Sequence, residues 1–234
     1  MRIAALSDFH IGARAGMDEF RHEEGAFLEL LARTQDEHDR VVLVGDIYQT
    51  DHDWRLGPDA AARQLAQARR RVPRLARALD RLPYVHGNHD LIAARELGAT
   101  SELLVVGDGA GVLFIHGHQF DPVFGRAEAA ARAATWFTGR LRRLGLRPVA
   151  QYLEGKDVAI KHRRFGHAEG PYARGARALM RERGVEFVVM GHTHVAHIHP
   201  LAEGTVVNTG SCAGGRATVV TIDTCTRAVT IRRS

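Results

Sequence analysis

The stretch VEFVVMGHTHVAHIHP, residues 185–200, joins a short apolar run to four of the 14 histidines of the chain. His192 and His194 follow a glycine that ends the apolar run, which is typical of a turn at the end of a strand. His197 and His199 alternate with apolar residues, as in a strand with one solvated face. The histidine-rich part contains no carboxylate or thiol. A metal site here must therefore take its other ligands from elsewhere in the chain.

Other short apolar runs have the length of a strand, and most of them end at Gly, Asp or Asn. The runs lie at residues 2–6, 41–45, 83–87, 102–106, 111–117, 186–191, 205–210, 217–222 and 228–231. Helical patterns separate the early runs, which predicts parallel strands, whereas the strand-dense C-terminal part predicts hairpins. We therefore expect an α/β fold, a mixed β-sandwich flanked by helices, formed by one domain over residues 1–234.

Three segments have the periodicity of a helix. Pro73 is expected to kink or split the second of them, while the third begins at Pro171 and ends at Gly184. The residues that share one helical face are Phe20, Phe27, Leu30 and Leu31 in the first segment and Leu65, Val72, Leu75 and Leu79 in the second.

Residues 121–170 interrupt the alternation of strands and helices, because they contain no convincing strand and are expected to form a helical insertion. Two interpretations of this insertion stay open. It is a surface helix packed on the core, or a basic amphipathic lid that contacts an anionic lipid surface. The pattern lies in residues 126–147, with Trp136, Phe137, Leu141 and Leu144 on one face and Arg132, Arg140, Arg142, Arg143 and Arg147 around it.

The composition is that of a globular protein with a basic balance: the net charge is +5, and all but two of the 32 basic residues are arginine. The arginines reflect either a GC-rich coding sequence or contacts with phosphates in nucleic acid, nucleotides or anionic lipid. The sequence predicts neither a signal peptide nor an apolar run long enough to span a bilayer. Its two cysteines form no CxxC motif. These features predict a cytoplasmic protein, with peripheral contact at the inner membrane face as an alternative.

Polar residues follow five of the predicted strands, and the loops at the carboxyl ends of strands converge in α/β folds. They are Asp8 and His10, Asp46, Asn88 with His89 and Asp90, His116, and His192 with His194. Without His89 and Asp90 the set comprises two aspartates, an asparagine and four histidines. Oxygen and imidazole ligands without sulfur suit manganese, iron, zinc or cobalt. Seven ligands are too many for one such metal with an open position, and they fit two metals that share a bridging carboxylate.

The ordered motifs resemble those of the calcineurin-like metallophosphoesterases over nearly the whole chain. The family pattern of D-x-H, GD, GNH, a separate His and G-H-x-H occurs as Asp8-Phe9-His10, Gly45-Asp46, Gly87-Asn88-His89-Asp90, His116 and Gly191-His192-Thr193-His194. The resemblance implies an αββα fold and a phosphoric ester hydrolase that uses water activated by two divalent metal ions, manganese before iron, zinc or cobalt. It also implies that Asp8, His10 and His194 hold one metal. Asn88, His116 and His192 then hold the other, and Asp46 bridges the two.

The layout is most similar to one branch of this family, the UDP-diacylglucosamine diphosphatases. The likeness lies in chain size, in the dipeptide His116-Gly117 and in a helical insertion before the GHTH loop. Two residues depart from the best-known members, which carry arginine at the position of His89 and aspartate at that of His118. The resemblance implies a phosphorylated small-molecule or lipid-linked substrate.

His89 directly follows the ligand Asn88, so both side chains are expected to contact the substrate. As an imidazolium, His89 would stabilise the transferring phosphoryl group or protonate the leaving oxygen, and Asp90 would orient it. The alternative is that His89 makes only a structural hydrogen bond in the turn.

Three functions compete. The first is a hydrolase of a phosphoester or pyrophosphate, with the insertion as a substrate lid. The second is a metal-dependent phosphodiesterase or nuclease, which the basic charge favours but the aromatic content of 6% does not. The third is a non-catalytic scaffold, which the complete ligand set disfavours.

Overall fold

The computed structural model describes residues 1–53, 57–122, 136–141, 144–167 and 169–234. The strands are β1 (Arg2–Leu6), β2 (Ile11–Gly12), β3 (Arg40–Val44), β4 (Tyr48–Gln49), β5 (Tyr84–Val85), β6 (Glu102–Val106), β7 (Gly111–Ile115), β8 (Phe187–Met190), β9 (His197–Pro200), β10 (Thr205–Asn208), β11 (Thr218–Asp223) and β12 (Val229–Arg233). The helices are α1 (Glu24–Glu37), α2 (Pro58–Arg71), α3 (Pro73–Leu79), α4 (Ala93–Glu96), α5 (Arg147–Phe165) and α6 (Pro171–Arg183), and residues 136–141 are also helical.

The strands form two five-stranded sheets and one two-stranded sheet. The first large sheet has the order β12-β11-β1-β3-β5, and β1, β3 and β5 are parallel, as the alternation in the first half predicts. The second has the order β6-β7-β8-β10-β9, with β7, β8 and β10 parallel. The predicted C-terminal hairpins are β9 with β10 and β11 with β12, both antiparallel. Strands β2 and β4 make the small parallel pair.

The two large sheets pack face to face with helices outside them, which confirms the predicted α/β sandwich. Ile3 and Val44 of the first sheet share a buried cluster with Phe114 and Val189 of the second. Successive residues of a strand point to opposite faces, so neighbouring residues in the same strands face the helices instead. Leu6 and Leu43 pack in a cluster with α1, α2 and α3, while Leu113 and Val188 pack in one with α6.

The helix predictions agree with the structure except at Phe20. Pro73 splits the second segment into α2 and α3, with Val72 between them. Helix α6 begins at Pro171 and ends at Arg183, and Gly184 follows as its cap, with a left-handed backbone that suits glycine. Phe20 lies before α1 and is buried against Phe9 and Phe27, so its place in the apolar pattern reflects tertiary packing and not a longer helix.

The insertion predicted at residues 121–170 contains helical residues 136–141 and α5. The predicted helix at 126–147 falls largely on residues 123–135 and 142–143, which lie outside the described residues. Among the described helices, none is long and apolar enough to cross a membrane.

Candidate metal centre

The structure brings the predicted ligands together where β1, β3, β5, β7 and β8 end. Ligand atoms of three sets lie within 4.8 Å of one another: Asp8, His10 and His194; His10, Asp46 and His89; and Asp46, His116 and His192. Asp46 belongs to two of these sets. Asn88 joins the last set, because its Oδ1 lies 3.0 Å from Nδ1 of His192.

The first half of the site consists of Asp8, His10 and His194. Nε2 of His194 lies 3.1 Å from Oδ1 of Asp8 and 3.2 Å from Nε2 of His10. The other ring nitrogen of His10 donates to the amide oxygen of Gln49 at 2.8 Å, because that oxygen can only accept. The lone pair of His10 Nε2 therefore faces Asp8 and His194.

The second half is arranged in the same manner around Asp46. His116 donates through Nδ1 to the carbonyl oxygen of Val44 at 2.9 Å, so Nε2 is the ring nitrogen that faces the site. That Nε2 lies 3.0 Å from Oδ2 of Asp46. The second carboxylate oxygen of Asp46 accepts the backbone N–H of His89 at 2.8 Å.

The polar atoms that face the centre of the site are buried and lack ordinary partners. Apart from the contacts of His194 with Asp8 and of His116 with Asp46, Oδ1 of Asp8, Oδ2 of Asp46 and Nε2 of His116 have no hydrogen-bond partner among the described residues. Buried polar atoms are normally satisfied, and buried carboxylates need compensating positive charge. The donor set is the oxygen and imidazole mixture that first-row divalent metals bind. The residues therefore fit a metal centre.

The charge states of the two aspartates, His10 and His192 also suit a metal centre. Burial would raise the pKa values of both aspartates, but His194 near Asp8 and His116 near Asp46 outweigh it. The pKa of Asp8 is therefore lowered, and that of Asp46 lies well below its usual value. Burial also lowers the pKa of His10 and holds that of His192 well below its usual range. Ionised carboxylates and neutral imidazoles are the forms that bind metals. His116 differs: burial would lower its pKa, but the carboxylates of Asp46 and Asp8 raise it to about 9, so metal binding would have to displace a proton from this ring.

The backbone at the site is unusual. Asp8, His10, Asp46, His192 and His194 all have φ between 51° and 69°. Of the described non-glycine residues, only Arg21 and Arg227 share a positive φ. Left-handed backbone costs energy for residues with a Cβ, and such strain is concentrated at functional sites. It turns the chain sharply after each strand, so that closely spaced side chains enter one site.

Two glycines make room for the side chains of His116 and Asp46, two of the predicted ligands. Gly45, with φ of 84°, lies against the ring of His116, and Gly87 lies against the carboxylate of Asp46. A Cβ at either position would overlap the ligand beside it. The glycines of the GD and GNH motifs are thus required by close packing around the ligands.

The ring of His89 contacts Asp51, rather than Asp90 as we expected. Nδ1 of His89 lies 2.8 Å from Oδ2 of Asp51. Burial alone would lower the pKa of His89, but the carboxylates of Asp51 and Asp46 raise it to about 10. Without metal ions His89 is therefore an imidazolium at neutral pH.

Asp90 has a different place, at 0% exposure beneath the site. Its carboxylate accepts the backbone N–H groups of Ile47 at 2.6 Å and Gly87 at 2.7 Å, and also the hydroxyl of Tyr84. Asp90 therefore ties the loop after β3 to the loop after β5, and it acts on the site through the position of Asp46.

Four residues near the site were missed by sequence reasoning: Gln49, Asp51, Asp121 and Lys161. Oε1 of Gln49 accepts the hydrogen bond from His10, and Nε2 of Gln49 lies 3.0 Å from Nδ1 of His89. Gln49 and Asp51 lie just after the GD motif, and that proximity was the available signal. Asp121 and Lys161 carry no motif, because only tertiary packing brings them to the site.

A pocket of about 440 Å³ adjoins the site beside Asn88 and His89. Most of its other lining is apolar, with Pro58 and Ala61 from α2 and Leu91, Ile92 and Ala94 from the segment after the GNH motif. Asp51 and Arg95 also line it. The pocket offers an apolar compartment next to the predicted metal ligands.

A sandwich of two mixed sheets with carboxylates and imidazoles at the strand ends is typical of metal-dependent hydrolases. The model of the calcineurin-like phosphoesterase superfamily domain matches residues 1–227. The chain belongs to this superfamily and is a phosphoester hydrolase, as the resemblance of its motifs indicates. The family is metal-dependent.

Similar proteins include two UDP-2,3-diacylglucosamine hydrolases. The one from Chromohalobacter salexigens is 26% identical over 215 residues, which cover 85% of this chain and 82% of the relative. The one from Shewanella sp. (strain W3-18-1) is 20% identical over 217 residues, covering 87% and 86%. Among solved structures, a predicted phosphoesterase from Streptococcus pneumoniae matches with a TM-score of 0.47 at 15% identity, covering 100% of this chain and 96% of that one. An archaeal phosphodiesterase matches with a TM-score of 0.47 at 13% identity and 100% coverage of both chains.

Proposed function

We propose that this protein is a two-metal phosphoesterase that hydrolyses the pyrophosphate bond of a lipid-linked nucleotide. One observation carries the two-metal centre: Asp46 lies within 4.8 Å of a ligand atom of His10 in one group and of ligand atoms of His116 and His192 in another. In this proposal Asp8, His10 and His194 hold one metal, while Asn88, His116 and His192 hold the other. Asp46 bridges them. Manganese is the first candidate, and iron, zinc and cobalt suit the same ligands.

Metal ions held by these residues would supply an activated water molecule and neutralise charge on the phosphoryl group. Side chains of the protein would position the substrate and the predicted ligands. The imidazolium of His89, held by Asp51, lies beside Asn88 and in the Asp46 group, where it stabilises the transferring phosphoryl group or donates a proton to the leaving oxygen. Gln49 and Val44 accept the Nδ1 protons of His10 and His116, which keeps the Nε2 atoms of both rings directed into the site.

The apolar pocket supports a lipid-linked substrate. It begins at Asn88 and His89 and continues along Leu91 and Ile92. A phosphoryl group at the metals would place an attached apolar arm in this space, where burial contributes about 0.8 kcal/mol per methylene. The similarity to UDP-2,3-diacylglucosamine hydrolases supports UDP-2,3-diacylglucosamine as the particular substrate.

The insertion supports contact with a membrane surface. Phe137, Leu144 and Tyr152 are 53%, 66% and 61% exposed. Lys156 lies over the ring of Tyr152, with its Nζ 4.5 Å from the ring centroid. Exposed apolar and aromatic side chains next to cations suit the interface of an anionic bilayer, from which a lipid-linked substrate would be taken.

The test is a comparison of substrates with the manganese-loaded protein. We expect the highest kcat/KM with UDP-2,3-diacylglucosamine, a lower value with a UDP-sugar that lacks acyl chains, and a low value with bis-nitrophenyl phosphate. Single-stranded DNA should be poorest. Asp46→Asn is the matched variant that controls for contaminating phosphatases. If DNA is the best substrate, the protein is a nuclease and this proposal is wrong. If none of these compounds is hydrolysed, a lipid-linked nucleotide is excluded as the substrate.

A further inference from the structure

A carboxylate outside the predicted ligand set lies next to one of the ligands. Asp121 follows the short 3₁₀ turn His118–Phe120 after β7, and it is 1% exposed. Its Oδ2 lies 3.1 Å from Nε2 of His192. A buried carboxylate at hydrogen-bond distance from a ring nitrogen fixes which nitrogen carries the proton.

The two sides of the His192 ring face different acceptors. Nε2 faces the Asp121 carboxylate, and Nδ1 faces the amide oxygen of Asn88 at 3.0 Å. A neutral imidazole has only one proton, and the charged carboxylate is the stronger acceptor. The proton therefore lies on Nε2. The lone pair on Nδ1 and the oxygen of Asn88 then face the same point, which is an arrangement suited to a cation between them.

Asp121 also lies near two cations of α5, the helix of the insertion. Lys161 and Arg164 of α5 lie 3.9 Å and 3.8 Å from its two carboxylate oxygens. Lys161 also lies 2.6 Å from Asp157, one helical turn earlier. The same carboxylate thus contacts a predicted metal ligand on one side and cations of the insertion helix on the other.

We propose that Asp121 is a positioning residue for the metal half-site of Asn88, His116 and His192. It holds His192 as the tautomer with the proton on Nε2 and turns Nδ1 toward Asn88. Through Lys161 and Arg164 it joins this half-site to α5. This inference rests on the proposed two-metal centre.

The test is metal binding, measured without reference to activity. Wild-type protein titrated with Mn²⁺ in a calorimeter should bind two ions. Asp121→Ala should weaken one of the two by about 10–100-fold, the range for residues that orient metal ligands, and leave the other unchanged. Asp121→Asn keeps an acceptor without the charge and should give a smaller loss. Asp157→Asn is the matched control, because it removes the other carboxylate on Lys161 without touching His192, and it should bind as wild type.

A second measurement reads the tautomer directly. In long-range ¹H–¹⁵N spectra of the metal-free protein, His192 should be the tautomer protonated at Nε2, and Asp121→Asn should shift its ring signals. If Asp121→Ala does not fold, Asp121→Asn alone decides the question. Two unchanged affinities together with an unchanged tautomer would overturn the role of Asp121. Wild-type protein that binds fewer than two ions would instead contradict the proposed two-metal function.

Discussion

Nδ1 of His89 lies 2.8 Å from Oδ2 of Asp51, five residues beyond the Asp46 that is expected to bridge the metals. The backbone N–H of His89 donates to Asp46 itself. One carboxylate thus holds the ring of His89 and another holds its main chain. The imidazolium is therefore fixed in position beside the ligands, as a group that acts on the phosphoryl substrate requires.

His89→Ala should keep both metals but lower turnover by about 10²–10⁴-fold, the range for a general acid or a charge stabiliser. The loss should be smaller with nitrophenyl esters, whose leaving group needs no proton. Steady-state kinetics with matched good and poor leaving groups makes the distinction. Equal losses would assign His89 to phosphoryl stabilisation, and unchanged kinetics would make it structural.

Asp51→Asn should lower turnover by about 10–100-fold, because the ring keeps a neighbour of the same shape but loses the charge that raises its pKa. In the His89→Ala background the same change should have almost no further effect, since the two residues act as one unit. The control is Asp53→Asn in the same loop, where Asp53 contacts Gln64. Additive losses in the double variant would show that Asp51 acts independently of His89.

The strand ends, and the polar side chains that gather there, could be predicted from sequence because each is local. A short apolar run ends at a glycine or aspartate, and the fold then brings these ends together. The left-handed backbone of Asp8 and His194 has no such local signal, since aspartate and histidine only tolerate this conformation.

The residues that orient the ligands could not be predicted for a different reason. Asp90 is adjacent to His89 in sequence, yet its carboxylate faces the loop after β3, where it accepts the N–H of Ile47. Asp121 reaches His192 across a sequence separation of 71 residues. Such contacts depend on packing between elements and leave no spacing pattern.

Asp46→Asn should weaken both metals together, because the bridging carboxylate serves both. Elemental analysis after dialysis should fall from about two Mn²⁺ per chain to below one. His197→Ala is the control: His197 lies in β9, packs near His162 and Phe165, and belongs to none of the metal groups found among the described residues. Loss of only one metal in Asp46→Asn would show that the carboxylate does not bridge, and loss of metal in His197→Ala would extend the site to β9.

Ala94→Trp should block the apolar pocket with little effect on folding, because Ala94 is exposed and lines the pocket. We expect kcat/KM for the diacylated substrate to fall by about 10-fold or more, while bis-nitrophenyl phosphate is hydrolysed as before. Glu96→Trp on the same short helix is the size-matched control, since Glu96 does not line the pocket. Equal losses on both substrates would place the acyl chains elsewhere.

The triple substitution Phe137→Ser, Leu144→Ser and Tyr152→Ser should weaken binding to anionic vesicles by about tenfold or more, because it removes the apolar side chains that would enter the interface. Trp136 is left in place, since the guanidinium of Arg140 lies 3.5 Å from the centre of its ring. Exposed substitutions cost little stability, so hydrolysis of a soluble phosphoester should stay near the wild-type rate. Vesicle co-sedimentation measures the binding, with neutral vesicles as the comparison that isolates the contribution of the cations.

The matched control is Val106→Ser on β6, which removes an apolar side chain that is 73% exposed outside the insertion. If both variants bind vesicles as wild type does, the exposed face of the insertion does not contact the membrane. If the triple variant instead unfolds at a lower temperature and loses both vesicle binding and hydrolysis of the soluble phosphoester, the insertion packs on the core as a surface helix. That is the other interpretation of its sequence.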